Sequence, residues 1–380
     1  MKKIFSLLSV FSLIVCLFCR SVCAADFTEP LDCKSAMLIE ASTMTVLYEK
    51  NADQPYPPAS VTKIMTLLLV CEAIDAGTVK LTDKVPVSEK AAGMGGSQVY
   101  LKVGEDMTLE DMLKSVIVSS ANDCAVALAE YISGSEAAFV ALMNERAKEL
   151  GMENTVFENA TGLDDTVKNH VTSARDIAVM SAELLKHGYI TDYSTIWMDT
   201  IRNGQFGLTN TNRLIRFYKG ANGLKTGMTA KAGFCISATA KRGGMQLIAV
   251  IMGSPSRDVR NGCAASLLDF GFANYGLYSV EESDLPPIKL SGGYAGEINI
   301  RHGGFSALLE TKEMKNVTYE TSLPDSVKAP LKTGDAVGSI DFYCNGKPIG
   351  SVDITAAEDA DKIGYFGVFA EMLKKFLMNP

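Results

Sequence analysis

The sequence predicts an α+β protein: an antiparallel sheet with helices on its faces and a helical subdomain, followed by a small all-β domain and a C-terminal amphipathic helix. Three observations support this class. Apolar residues recur at helical spacing through the middle of the chain, alternating patterns lie towards both ends, and the βαβα order of a parallel sheet is missing. Acids and two prolines over residues 281–287 separate regions of different composition. The chain of 380 residues, 47% hydrophobic and 21% charged, has the make-up of globular domains and the length for two. That composition excludes disordered, collagen-like and polytopic membrane proteins.

Residues 1–24 read as an export signal. Lys2 and Lys3 start it, an uncharged and mostly apolar run follows from Ile4 to Cys19, and Ala24 and Ala25 mark the cleavage point. That run is shorter than the ~20 residues a spanning helix needs. Cleavage removes Lys2, Lys3 and Arg20 but no acid, so the net charge of −8 becomes −11, with 33 bases against 44 acids. Residues 35–40 and 45–49 alternate around a short turn and predict a hairpin. Pro55, Pro57 and Pro58 lead into a helix over 60–76, spaced by Val61, Ile64, Met65, Leu68 and Cys71 and stopped by Gly77. A loop with Gly93, Gly95 and Gly96 precedes helices over 109–118, 124–132, 136–150 and 172–186. From Gly223 the pattern turns to strands, over 233–240 and 245–252 around Arg242-Gly243-Gly244, and a helix over 258–274 completes a domain spanning 26–278. Residues 281–287 read as a linker. Short strands near 296–300, 306–310, 317–321, 336–343 and 349–354 make a β domain over 285–357. Residues 361–380 return to helical spacing, with Ile363, Phe366, Ala370, Leu373 and Leu377 on one stripe. This segment is either a cap on the β domain or an amphipathic helix lying on a membrane surface.

The excess of acid, without a dense basic cluster, excludes a general nucleic-acid binder. Only three histidines occur, His170, His187 and His302, with no HExxH or CxxC pair, so no metal or other cofactor is expected. The six cysteines left after cleavage are scattered, and Cys71, Cys124 and Cys235 lie in apolar patterns that favour free buried thiols.

Three short motifs stand in order: Ser60-Val-Thr-Lys63, Ser120-Ala-Asn122 and Lys225-Thr226-Gly227. Taken singly, each is weak: Ser60 and Ser120 can be helix caps and Lys225-Thr226-Gly227 a turn. Together they make a catalytic set. Residues i and i+3 of a helix share a face, so Lys63 can take the proton of the Ser60 hydroxyl. A lysine that titrates near ~10.4 is a poor base at neutral pH unless it is desolvated or set beside another cation, and Lys225 is the natural neighbour. Ser120 can relay a proton to a leaving group and Asn122 can hold a substrate amide. Gly227 leaves room for a peptide along the strand, and the helix start offers the Ser60 N–H as half of an oxyanion hole.

The order SxxK, SxN, KTG resembles that of the penicillin-recognising serine enzymes. Longer words, PPASVTKIMT, GGSQVYLKVGE, SSANDCAVALAEYISGS, TGLDD with HVTSARDIA, GLKTGMTAKAGFCISATA and LIAVIMGSPSRDVR, are similar to the exported D-alanyl-D-alanine carboxypeptidases, the low-molecular-mass penicillin-binding proteins of serine peptidase family S11. The resemblance covers nearly all of the chain after residue 24. It implies a penicillin-binding-protein/β-lactamase-like first domain and removal of the terminal D-alanine from peptidoglycan stem peptides. It further implies acylation by β-lactam antibiotics and attachment to the outer face of the cytoplasmic membrane through the helix at 361–380. Carried over by position, Ser60 is the nucleophile, Lys63 its base and Ser120 the proton relay. Asn122, Lys225, Thr226 and Gly227 bind substrate, Met228 gives the second oxyanion N–H, and Arg260, favoured over Arg257, binds the terminal carboxylate. Met228 and Asn222 depart from residues common in relatives. The rivals are a β-lactamase and a non-catalytic peptidoglycan-binding protein. Against the first, no ExxLN string like that of class A enzymes lies between Asn122 and Lys225; against the second, which predicts a lost motif side chain, none is lost.

Overall fold

A computed structural model describes residues 27–165 and 167–378. The export signal expected over 1–24 lies outside them. The described chain divides into two compact units, one running to Lys241 and from Gln246 to Phe270, the other comprising Arg242–Met245 and the chain from Gly271.

The first unit is built on a five-stranded sheet in the order Val46–Lys50, Ser35–Glu40, Met245–Ser254, Gly233–Arg242, Ala221–Thr229. Its first and last strand pairs are antiparallel, with Ala36 opposite Lys50 and Gly227 opposite Cys235. Ser35–Glu40 is buried along its whole length, which its apolar Ala-Met-Leu-Ile run permits on both faces. Ala221–Thr229, the strand that carries Lys225-Thr226-Gly227, closes one edge of the sheet.

The helix expected over 60–76 is a 3-10 turn, Ala59–Thr62, followed by an α-helix, Lys63–Asp75. Its apolar residues lie all round the axis, and every side chain from Lys63 to Leu68 is buried, so it is a central helix of the core. Around it, Leu109–Val118, Asn122–Ser133 and Glu136–Glu149 form the helical subdomain. The sequence punctuates these helices. The Thr108 hydroxyl accepts from the Asp111 N–H at the start of the first, and Ser135 does the same for Ala138 at the start of the third. Between the last two, Gly134 takes the left-handed φ of +76° that ends a helix. A hairpin, Met198–Ile201 with Phe206–Thr209, lay unrecognised in a stretch without clean alternation. The six described cysteines are buried free thiols.

The second unit holds a six-stranded sheet, ordered Val317–Ser322, Ala336–Cys344, Lys347–Ala356, Glu297–His302, Ser283–Ser291, Ser326–Lys328. Ile298, Ile300, Phe342 and Ile354 fill its core. The linker expected over 281–287 is absent: most of that segment belongs to the strand Ser283–Ser291. Its two prolines misled because they fall at a bulge. Leu285 pairs with Ile300 and Ile288 with Ile298, so Pro286 and Pro287 fall in a bulge, where missing N–H groups cost no ladder bond. The terminal helix runs from Tyr365 to Met378, and Tyr365, Phe369, Met372 and Leu377 on it are exposed.

Candidate active site

The three motifs converge from three separate elements: the turn before the core helix, the start of Asn122–Ser133, and the edge strand. Ser60, Ser120, Thr226, Gly227, Met228 and Arg260 line one cleft of about 720 Å3. Lys63, Asn122 and Lys225 are buried behind them. Two non-glycine residues at the site hold a left-handed backbone, Ala59 at φ +50° immediately before Ser60 and Ser120 at +64°. Such conformations cost about 1–3 kcal/mol each and persist where the surroundings enforce them.

Lys63 Nζ has three neighbours: Ser60 Oγ at 3.0 Å, Asn122 Oδ1 at 2.6 Å and the Thr161 carbonyl at 2.7 Å. The Asn122 amide is oriented by its Nδ2, which donates to the Gly95 carbonyl at 2.7 Å, so its oxygen faces the lysine. Two of the three neighbours are therefore pure acceptors. Asn122 and Thr161 can only accept from the amine, whereas the Ser60 hydroxyl can accept from it or, once the amine is neutral, donate to its lone pair. Burial first, and the charge of Lys225 second, hold the Lys63 pKa well below the ordinary lysine value. Lys225 donates to the Thr226 carbonyl at 3.0 Å, and burial together with Arg260 brings its own pKa down to about 7.

The residues expected to bind the terminal carboxylate, Thr226 and Arg260, are held in place as well. Thr226 Oγ1 donates to Thr211 Oγ1 at 2.8 Å, and Arg260 is 2% exposed, its guanidinium held by Asn261 Oδ1 at 2.9 Å and 3.1 Å. Burial and the neighbouring Arg257 lower the Arg260 pKa to about 10, which leaves it charged at neutral pH. Gly227 has a reason beyond room for a peptide. A Cβ there would lie 2.8 Å from the Pro58 carbonyl oxygen and 2.9 Å from the Ser60 nitrogen, so the strand approaches the turn that carries Ser60 as closely as only glycine permits.

Several residues that build the site were not singled out from the sequence. The Glu158 N–H donates to His170 Nδ1 at 3.0 Å, which puts the imidazole proton on Nε2. Nε2 is 2.7 Å from Thr62 Oγ1, whose own proton goes to the Ala59 carbonyl at 2.9 Å. A directed chain thus runs from a buried neutral histidine to the residue preceding Ser60. Burial lowers the His170 pKa to about 4, which keeps it neutral. Gly162 packs against the same turn, where a Cβ would strike the Ala59 carbonyl. Asp123, next to Asn122, accepts from the N–H groups of Val99, Leu101 and Cys124 and locks the second motif in place. The words TGLDD and HVTSARDIA contained Gly162 and His170, but the isolation of His170 in sequence hid its part in the site.

Comparison with known proteins fits this geometry. The family described as D-alanyl-D-alanine carboxypeptidase matches residues 23–256. The D-alanyl-D-alanine carboxypeptidase DacF of Bacillus subtilis is 42% identical over 341 residues, 88% of this chain and 87% of that protein. The chain belongs to the D-alanyl-D-alanine carboxypeptidase family. As a member of that family it also matches the C-terminal domain of penicillin-binding protein 5, over residues 303–362. The crystal structure of penicillin-binding protein 5 from Haemophilus influenzae superposes with a TM-score of 0.74 at 28% identity, covering 89% of this chain and all of that one. Penicillin-binding protein D2 of Listeria monocytogenes, solved in its ampicillin-bound form, is 30% identical with a TM-score of 0.60 and matches 65% of this chain. The carboxypeptidase therefore has the α+β penicillin-binding-protein fold, its Ser60, Lys63 and Lys225 on the elements described above.

Proposed function

We propose that this protein is an exported serine carboxypeptidase that removes the terminal D-alanine from peptidoglycan stem peptides through an acyl-enzyme on Ser60. The observation that carries this reading is the Lys63 amine, buried, 3.0 Å from the Ser60 hydroxyl and held well below the ordinary lysine pKa by burial and by Lys225. A peptide ending in D-alanyl-D-alanine lies along the open edge of Ala221–Thr229, its carboxylate at Arg260 and Thr226 and its scissile carbonyl oxygen between the N–H groups of Ser60 and Met228. Lys63 takes the Ser60 proton as Oγ bonds to the carbonyl carbon. The C–N bond then breaks, and Ser120 passes a proton to the departing amine of D-alanine. Water hydrolyses the resulting ester and restores Ser60. A β-lactam offers the same carboxylate and amide to the same groups and acylates the same hydroxyl.

The exposed Tyr365, Phe369, Met372 and Leu377 support a second part of the proposal, that Tyr365–Met378 lies on the outer face of the cytoplasmic membrane. Among the described residues no single helix is long and apolar enough to cross a membrane. Two measurements test the reading. The purified protein releases D-alanine from a peptide ending in D-alanyl-D-alanine. Rapid penicillin turnover without that release would instead mark a β-lactamase. Deletion of residues 361–380 shifts the protein from membrane to soluble fractions, and a truncated form that stays with the membrane contradicts the helix anchor.

A further inference from the structure

The cleft carries more positive charge than one terminal carboxylate needs. Three arginines, Arg213, Arg257 and Arg260, line it and, among the described residues, no acidic side chain does, although acids outnumber bases in the chain by 44 to 36. Arg260 is the buried member beside Thr226 and accounts for the carboxylate of the terminal D-alanine. Arg213 and Arg257 are exposed and make no ion pair among the described residues. Like charges gathered without a counterion oppose stability, and such departures from local consistency mark functional surfaces.

The wall that carries Arg213 is built to be rigid. Asn210 and Asn212 are 5% and 1% exposed. Asn210 Nδ2 donates to the carbonyls of Ser194 and Ile196, and Asn212 Nδ2 donates to the Gly223 carbonyl at 2.8 Å, which ties the segment to the strand bearing Lys225. Trp197 and Phe217 complete the wall as an edge-to-face pair with ring centroids 6.3 Å apart, and Arg216 lies over both rings. Phe217 is 73% exposed, an apolar surface in the same cleft as Arg213. A charged ligand with an aliphatic stem suits such a surface.

We propose that Arg213 and Arg257, with the Trp197–Phe217 face, form a subsite for a second carboxylate of the substrate. The enzyme then selects D-alanyl-D-alanine peptides that also carry a free side-chain carboxylate. This deepens the carboxypeptidase reading and rests on it. Neither residue belongs to the three motifs, and loss of the subsite weakens substrate binding more than turnover.

The test compares two peptides that differ only in a carboxylate or carboxamide on a residue preceding the terminal dipeptide, with D-alanine release as the readout. In the unaltered protein the free carboxylate gives a kcat/KM about five- to tenfold higher, mostly through KM, and the advantage shrinks as salt is raised. In the double variant Arg213→Gln, Arg257→Gln the ratio for the two peptides falls to about one. The ratio is taken within each protein, so a reduced folded fraction leaves it unchanged. Equal kcat/KM for both peptides in the unaltered protein overturns the proposal, as does an undiminished ratio in the double variant. Release from neither peptide refutes the carboxypeptidase reading and the subsite with it.

Discussion

Replacing Gly227 by alanine adds one methyl group where the edge strand meets the turn that carries Ser60. The new Cβ lies 2.8 Å from the Pro58 carbonyl oxygen, 2.9 Å from the Ser60 nitrogen and 3.0 Å from the Val61 nitrogen. All three are backbone atoms, and the Val61 N–H already donates to the Pro58 carbonyl at 3.2 Å, so no flexible side chain can yield. Reaching an ordinary contact near 3.4 Å requires turn and strand to part by about half an ångström, a strain worth ~1–3 kcal/mol in a packed site. The same displacement moves the Ser60 hydroxyl and its N–H against the strand that aligns the substrate. A misplacement of about 1 Å costs ~100-fold in rate, so half of that costs about tenfold. The assay is the second-order rate of acylation by a fluorescent penicillin, paired with thermal denaturation. Gly262→Ala is the control: it lies inside the helix Arg257–Asn274 with open space at its Cβ and stabilises by ~0.5–1 kcal/mol. Acylation within twofold of the unaltered rate and an unchanged melting temperature for Gly227→Ala would refute the close-approach reasoning.

Two further predictions follow the buried bases. His170 has a folded pKa of about 4 against 6.5 unfolded, so between these values the unfolded chain binds the extra proton. Its contribution to stability is therefore lost as pH falls from 6.5 towards 4, with a slope of up to about 1.4 kcal/mol per pH unit. In His170→Gln that slope is reduced while acylation slows through the loosened Thr62–Ala59 turn; denaturant titrations at several pH values check it, and an unchanged slope counts against the neutral imidazole. Lys225 has a folded pKa of about 7 against 10.5 unfolded, so again the unfolded state holds the extra proton and stability rises with pH across that window. Lys225→Met removes one proton from this slope and raises the pKa of Lys63, moving the acid limb of the acylation profile to higher pH. An acid limb that stays in place shows that Lys225 does not tune the base.

Much of this was legible in the sequence because its cause is local. The spacing of Ser60 and Lys63 dictates their meeting whatever surrounds them, and helix starts such as Thr108 and Ser135 announce themselves through caps. The linker expectation failed because Pro286 and Pro287 satisfy a tertiary condition, a bulge opposite Ile298 and Ile300, that no local rule reports. The support of the site was hidden for a similar reason. His170 reaches the Ala59 carbonyl beside Ser60 through Thr62, which is 108 residues from it in the chain, and the Thr161 carbonyl reaches Lys63 across 98, so neither pairing has a sequence period. The arginine wall is equally non-local: Arg213 and Arg257 come from different elements, and only the cleft shows that they share a surface without a counterion.

The central claim is that Ser60 is the nucleophile, and the most direct measurement is mass spectrometry of the purified protein after incubation with penicillin. The account predicts a single covalent penicilloyl adduct on the proteolytic peptide that contains Ser60, abolished in Ser60→Ala. An adduct on any other residue, or undiminished labelling of Ser60→Ala, would contradict it.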